Sequence, residues 1–144
     1  MRILIASDHG GFTLKQEILK FLKSNQFTAT DLGAFTADAV DYPDMAALVA
    51  KEVSEGRADR GILICGTGVG MAITANKFKG VRAAALTDLF SARMAREHND
   101  LNVLCLGGRV LGVALAEEIT NTFLKTPFAG GRHEKRVNKI KNHE

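Results

Sequence analysis

The stretch of sequence that decides the fold is Gly61–Lys77, GILICGTGVGMAITANK. Its first five residues, Gly61–Cys65, form a short apolar run typical of a buried strand. A glycine-rich loop, Gly66–Gly70, follows directly, and helical spacing continues to about Lys77. A buried strand that runs through a tight turn into a helix is the repeating unit of parallel α/β sheets.

The same alternation extends to both sides of this stretch. Strands are expected at 3–6, 27–32, 61–65, 81–86 and 102–106. Helices are expected at 12–22, at 45–53, from the glycine loop to about Lys77, at 88–97, at 111–124 and from about Gly131. Asp41–Asp44 is interpreted as the turn before the second helix. Strict alternation implies a parallel sheet covered on both faces through right-handed crossovers. We therefore predict one domain over residues 1–144: a three-layer α/β/α sandwich, Rossmann-like, with a five-stranded parallel sheet and an extra C-terminal helix.

Composition is that of an ordinary soluble globular protein. The chain has 144 residues, 46% of them hydrophobic and 24% charged, which suits a single core without a metal or disulfide staple. The N-terminal apolar run is too short for a signal peptide or a membrane span. Cys65 and Cys105 lie far apart without metal-ligand spacing, so we expect a reduced, cytoplasmic protein with no metal site.

The net charge of +3 owes much to the tail RHEKRVNKIKNHE. Such a tail could contact nucleic acid, but one tyrosine and no tryptophan leave little for base stacking. A small anionic substrate, or simply a solvated helix face, explains the charge equally well. We predict neither a nucleic-acid partner nor a membrane partner.

Ligands of open parallel sheets bind outside the carboxyl ends of the strands. This rule selects Ser7–Gly11, Cys65–Gly70, Thr87–Asp88 and Gly107–Arg109. The glycines at 66, 68 and 70 would let unpaired amides approach an anion, either a phosphate or a developing enediolate oxygen. Their spacing matches neither the phosphate loop of nucleotide hydrolases nor the dinucleotide fingerprint. The alternative is a tight structural connection.

Proton-transfer groups lie beside these loops. A thiol next to a helix N-terminus favours its thiolate, although a cysteine such as Cys65 is otherwise often a small core residue. His9 and His98 could shuttle protons, although a histidine at a helix C-terminus can simply complement the helix dipole. Arg132 and Arg136 share one helix face and, with Arg109, could bind phosphate, unless they belong to a solvated tail.

Taken together, these motifs resemble the ribose-5-phosphate isomerase B family, in a group that also contains galactose-6-phosphate and allose-6-phosphate isomerases. The resemblance spans nearly the whole chain and is carried by SDHGG at 7–11, DYPD at 41–44, ILICGTGVGMAITANK at 62–77, VRAA at 81–84, REHNDLNVLCLGGRV at 96–110 and GGRHEKRV at 130–137. Relatives without the cysteine carry a glutamate after the glycine loop. Met71 stands there in this chain, so it is similar to the cysteine subtype.

The resemblance implies catalytic roles for three side chains: Cys65 as the base that moves a proton between C2 and C1, His98 as the group that opens the sugar ring, and Thr67 as its assistant. It also implies a substrate-binding set: Asp8, His9, Tyr42, Gly66, Thr67, Gly68, Val69, Gly70, Asn99, Arg109, Arg132 and Arg136. Of these, the three arginines are implied to bind phosphate, and Asn99 is implied to support the enediolate with the loop amides.

The implied activity is interconversion of D-ribose 5-phosphate and D-ribulose 5-phosphate without a cofactor. The resemblance further implies a homodimer, or a dimer of dimers, with a shared active site, and a setting in the pentose phosphate pathway. Two alternatives stay open. One is an isomerase for a six-carbon aldose 6-phosphate, with the loop between Asp31 and Asp41 as the expected point of difference. The other is a non-catalytic phosphosugar-binding domain.

Overall fold

Five strands and six helices alternate along the chain in the computed structural model, which describes residues 1–144. The strands are β1 (Ile3–Ser7), β2 (Ala29–Asp31), β3 (Arg60–Cys65), β4 (Ala83–Ala85) and β5 (Val103–Gly107). The helices are α1 (Phe12–Ser24), α2 (Tyr42–Ser54), α3 (Val69–Ala75), α4 (Leu89–Asn99), α5 (Val113–Lys125) and α6 (Arg132–Lys141).

The strands form one parallel sheet in the order β2-β1-β3-β5-β4. Side chains that alternate along each strand divide the core into two layers. Ile5 and Ile64 belong to the layer that contains α1 and α5, whereas Ala6 and Leu63 belong to the layer that contains α2 and α3. The predicted α/β/α sandwich with a five-stranded parallel sheet is confirmed.

Three loops meet at the carboxyl edge of the central strands, after β1, β3 and β5. Gly108 donates its N–H to the carbonyl oxygen of Cys65 at 2.7 Å, and Asp8 donates to that of Ile64 at 3.2 Å. A Cβ on Gly108 would lie only 2.5 Å from the carbonyl oxygen of Gly10. Glycine at this position lets the three loops pack backbone against backbone, so that they form one continuous surface at this edge of the sheet.

The boundaries of several elements differ from the predicted ones. α2 begins at Tyr42 rather than Met45, because Asp41 is extended and Pro43 is accommodated in the first helical turn. The motif at 41–44 is therefore the start of a helix rather than a separate turn. β2 and β4 are only three residues long because each lies at a sheet edge and pairs on one side. None of the helices has the length and apolar character that a membrane span needs.

Candidate active site

An open cleft of about 410 Å³ lies at the carboxyl ends of β1 and β3. It is lined by Asp8, Tyr42, Cys65, Gly66, Thr67, Val69, Gly70 and Ile73. All but Ile73 belong to the set expected from the sequence. The cleft lies where ligands bind in parallel α/β sheets, because successive crossovers diverge there and leave a crevice.

Cys65 is the last residue of β3, and its thiol forms part of the cleft wall. Its side chain is largely buried, with 5% exposure. The Gly68 N–H donates to Sγ at 3.1 Å, which is possible because Gly68 adopts a left-handed conformation with φ of 80°. An amide donor is a suitable partner for sulfur in its negatively charged form.

The loop after β3 presents backbone donors that are not used inside the protein. The N–H groups of Gly66, Thr67 and Gly70 donate no hydrogen bond to another protein atom, whereas Val69 donates to Thr67 Oγ1 at 3.3 Å. Unpaired amides next to a cleft can stabilise negative charge on a bound molecule.

The other walls of the cleft come from β1 and α2. Asp8 is 7% exposed, and its Oδ1 accepts the Gly11 N–H at 3.0 Å, which fixes the carboxylate. The Tyr42 ring lies against Gly70 so closely that a Cβ there would be 2.5 Å from Cε2. Gly70 is therefore needed to make room for this aromatic ring. 

His9 and Arg109 lie on the loops next to the cleft. His9 accepts the Val40 N–H on Nδ1 at 3.3 Å, which connects the loop after β1 to the segment before α2. Arg109 donates its backbone N–H to the Gly66 carbonyl oxygen at 3.0 Å, and its side chain runs beside Gly66. Arg109 is therefore the arginine of the expected set that the fold brings to the loop after Cys65.

His98 and Asn99 lie at the opposite end of the sheet from Cys65 within one chain. They end α4, and β5 begins only four residues later at Val103. Cys65 pairs with Gly107, the last residue of β5. The strand between these ends spans about 13 Å at 3.3 Å per residue. The expectation that both histidines would share a strand-end surface with the thiol is wrong for a single chain, because a crossover helix returns to the amino ends of the strands.

Arg132 and Arg136 belong with His98 rather than with Cys65. Both lie on exposed positions of α6, which packs on α4. The contact includes His133, whose ring stacks on that of His98 with centroids 4.1 Å apart and planes inclined by 8°. The structure thus holds two groups of expected site residues, which we name the thiol half-site (Asp8, His9, Tyr42, Cys65–Gly70 and Arg109) and the histidine half-site (His98, Asn99, Arg132 and Arg136).

Two residues near these half-sites were missed in the sequence. Ile73 lines the cleft four residues after Val69, so its helical spacing could have revealed it. His133 is 35 positions from His98, and no local pattern links the two. Only the packing of α6 on α4 brings them together.

The second cysteine, Cys105, lies in the middle of β5 with no exposure. Burial raises the pKa of its thiol far above the ordinary value, and the nearby Cys65 adds a smaller effect in the same direction. The thiol therefore stays protonated. Nowhere in residues 1–144 do three or more histidine, cysteine or acidic side chains come together in a way that could hold a metal ion.

The fold and the cleft define an α/β-sandwich protein with a candidate small-molecule site at the carboxyl ends of its strands. A family model described as Ribose/Galactose Isomerase matches residues 3–140. The chain is 45% identical over 139 residues to ribose-5-phosphate isomerase B of Escherichia coli (strain K12), covering 96% of this chain and 93% of that protein. The chain belongs to the ribose/galactose isomerase family.

Solved structures agree with this assignment. Ribose-5-phosphate isomerase B of Clostridium thermocellum superposes with a TM-score of 0.97 at 52% identity, covering 99% of this chain and 97% of that one. The Mycoplasma genitalium enzyme with bound ribulose-5-phosphate gives a TM-score of 0.94 at 49% identity, covering 99% and 95%. The family resemblance and the prediction of a sugar isomerase are confirmed.

Proposed function

We propose that the chain interconverts D-ribose 5-phosphate and D-ribulose 5-phosphate, with Cys65 as the proton-transferring base. The observation that carries the proposal is the Cys65 thiol in the cleft wall, with the Gly68 N–H donating to its sulfur. Ribose is favoured as the sugar because relatives over nearly the full length are named ribose-5-phosphate isomerase B, one of them solved with ribulose-5-phosphate.

The proposed reaction balances without a cofactor. The Cys65 thiolate removes the C2 proton of the open-chain aldose, and the C–H electron pair becomes the C1–C2 double bond of an enediolate. The same sulfur returns a proton to C1, while a hydroxyl proton moves between the two oxygens. No electron enters or leaves the substrate, so the step needs no redox group, and the proposed base and donors all belong to the protein.

The charge on the enediolate needs donors that are held in place before the reaction. The unused N–H groups of Gly66, Thr67 and Gly70, together with the Thr67 hydroxyl, are suitable donors. Asp8 and Tyr42, which both line the cleft, are proposed to hold the sugar hydroxyls. Such fixed dipoles stabilise the transition state more than the substrate, which is how they increase kcat.

A single chain leaves this cleft without the group proposed to open the sugar ring. We propose a homodimer in which His98 of the partner subunit faces the thiol half-site, with Asn99, Arg132 and Arg136 nearby. A two-fold axis would create two identical composite sites, because each chain supplies both half-sites. Exposed apolar side chains border both half-sites, as an interface requires: Val69 and Ile73 beside Cys65, and Ile140 beside Asn99.

Two further statements belong to the same proposal. Both cysteines are free in the structure, and an essential thiol is preserved in a reducing compartment, so we place the protein in the cytoplasm. Interconversion of two pentose phosphates would serve the pentose phosphate pathway, as the resemblance implies.

The mechanism is tested by proton exchange at C2 of ribose 5-phosphate in heavy water. Cys65→Ala is expected to abolish both exchange and turnover while substrate affinity stays nearly unchanged, because a base acts on the barrier rather than on binding. Cys105→Ala is the matched control and should keep turnover, since Cys105 lies in the core. Exchange at the wild-type rate in Cys65→Ala would remove Cys65 from the role of base.

The choice of sugar is tested separately. Values of kcat/KM for ribose 5-phosphate, allose 6-phosphate and galactose 6-phosphate, measured side by side, should be highest for the pentose. A preference for either hexose would assign the chain to the six-carbon branch of the family. The segment through Val40, connected to His9, would then be the first place to look for the difference.

A further inference from the structure

The two histidines of the α4–α6 contact form a stacked pair. Their ring centroids are 4.1 Å apart and the planes are nearly parallel, at 8°. This spacing places one face of the His98 ring in full contact with its neighbour. His98 is only partly buried, and the parallel ring on one face opposes rotation of its imidazole.

His133 is itself held firmly. It is 8% exposed and occupies the first turn of α6, where its N–H donates to the Gly130 carbonyl oxygen at 3.0 Å. Gly130 and Gly131 both have positive φ, at 64° and 56°, and turn the chain sharply into the helix. The buried His133 ring can therefore act as a platform for the more exposed His98 ring.

The charges around the stacked pair favour the uncharged form of His133. His133 faces Arg132 and Arg136 on its own helix, and His98 and Glu97 on α4. Burial, His98 and the two arginines together hold the pKa of His133 below its ordinary value, outweighing the opposite effect of Glu97. At neutral pH the platform is thus an uncharged aromatic surface.

We infer that His133 is a positioning residue, which stacks on His98 and fixes its imidazole in the orientation required for ring opening of the cyclic sugar phosphate. The inference rests on the proposed function, in which His98 serves the neighbouring thiol half-site. An imidazole free to rotate would contact the ring oxygen of the sugar in only a fraction of its orientations. Misplacement of a catalytic group lowers the reaction rate strongly.

Ring opening by His98 and proton transfer by Cys65 can be measured separately, because only one of the two sugar phosphates forms a ring. Ribose 5-phosphate is mostly a closed ring and must be opened before Cys65 can act. Ribulose 5-phosphate cannot close into a five-membered ring, because its C5 oxygen carries the phosphate. Exchange of its C1 protons with heavy water therefore needs the thiol half-site but not ring opening.

The test compares these two rates in the chain of residues 1–144. His133→Ala is expected to lower conversion of ribose 5-phosphate by about 10- to 100-fold while C1 exchange of ribulose 5-phosphate stays at the wild-type rate. His133→Phe keeps a flat ring for the stack and is expected to restore most of the conversion. The NMR signal of the His98 ring should shift in His133→Ala and much less in His133→Phe, because the stacked ring is lost only in the first.

His143→Ala is the matched control, since His143 is exposed beyond α6, and it should leave both rates unchanged. Equal losses of both rates in His133→Ala would show a merely structural role and overturn the inference. Full conversion in His133→Ala, or no recovery in His133→Phe, would overturn it too. Failure of the proposed function is distinct, because the wild-type protein itself would then show neither conversion nor exchange.

Discussion

At the scale of single residues, the two cysteines show how position along a strand decides what a thiol can do. Cys105 pairs with Leu63 in the middle of the sheet and stays protonated because burial raises its pKa. Cys65 lies two residues further along the neighbouring strand, where β3 ends at the cleft. The sequence distinguishes the two because Cys65 directly precedes its glycine loop, whereas Leu106 separates Cys105 from Gly107 and Gly108.

Gly70 is the loop residue whose size we expect to matter for binding. In Gly70→Ala, the new Cβ would lie 2.5 Å from Tyr42 Cε2, so the half-exposed tyrosine ring must shift from its position in the cleft wall. We expect KM for ribose 5-phosphate to increase about fivefold to tenfold, as for the loss of one contact worth about 1 kcal/mol. The free energy of unfolding should change by less than about 1 kcal/mol, since alanine suits a helix better than glycine.

Steady-state kinetics and urea denaturation measure both quantities. Gly112→Ala is the matched control, because a Cβ there meets nothing within 4 Å and the backbone has φ of −70°. An unchanged KM in Gly70→Ala would mean that the position of Tyr42 does not affect substrate binding.

The lowered pKa of His133 predicts how the stability of the fold depends on pH. Its pKa in the folded chain lies below the ordinary value of 6.5, so between the two values the unfolded chain binds more protons. The free energy of unfolding should therefore be highest above pH 6.5 and should fall as the pH drops through the folded pKa. His133→Phe removes this titration, so urea denaturation should show a smaller decline for the variant. An identical decline in both proteins would contradict the assignment.

At the scale of secondary structure, the existence and order of all eleven elements could be predicted, because apolar runs and helical spacing alternate clearly along the chain. The lengths of β2 and β4 could not, because pairing on one side is a property of the assembled sheet. The thiol half-site could be predicted from the strand-end rule except for Tyr42, which begins α2 and is supplied only by the family resemblance. His98 could have been placed at the other end by the same topology, since it ends a crossover helix.

Lys15 is the side chain that joins α1 to the segment after β2. It is fully buried and donates to Asp31 at 2.8 and 2.9 Å and to the Ala34 carbonyl oxygen at 2.6 Å. We expect Lys15→Met to lower the free energy of unfolding by about 1–3 kcal/mol, because the Asp31 carboxylate and the Ala34 carbonyl oxygen both lose a buried donor. The lower part of the range reflects Asp31, which is 23% exposed and can recruit water.

Urea denaturation of the variant and of a matched control checks this value. Lys20→Met also removes a lysine of α1 that is paired with an acid, but Lys20 is 71% exposed beside Glu17, so its loss should have almost no effect. Equal effects of the two substitutions would show that burial of Lys15 contributes nothing.

At the scale of the whole molecule, the separation of the half-sites governs what one chain can do alone. Cys65 lies at the carboxyl ends of the strands and His98 near their amino ends. No rotation of side chains closes a gap as long as β5. The proposed mechanism uses both groups, so it requires association with a second copy, and that requirement has a measurable consequence in mixtures of inactive variants.

In the proposed homodimer, Cys65→Ala and His98→Ala chains are each expected to be inactive in converting ribose 5-phosphate, because every composite site lacks either the base or the group that opens the sugar ring. When the two variants are unfolded together, refolded at equal amounts and assayed, half of the dimers should be mixed. Each mixed dimer pairs the intact Cys65 of one chain with the intact His98 of the other at one of its two sites, so about a quarter of wild-type activity should return. Each variant refolded alone is the control. If both groups acted within one chain, the mixture would stay as inactive as its components, because every chain would still lack one of them.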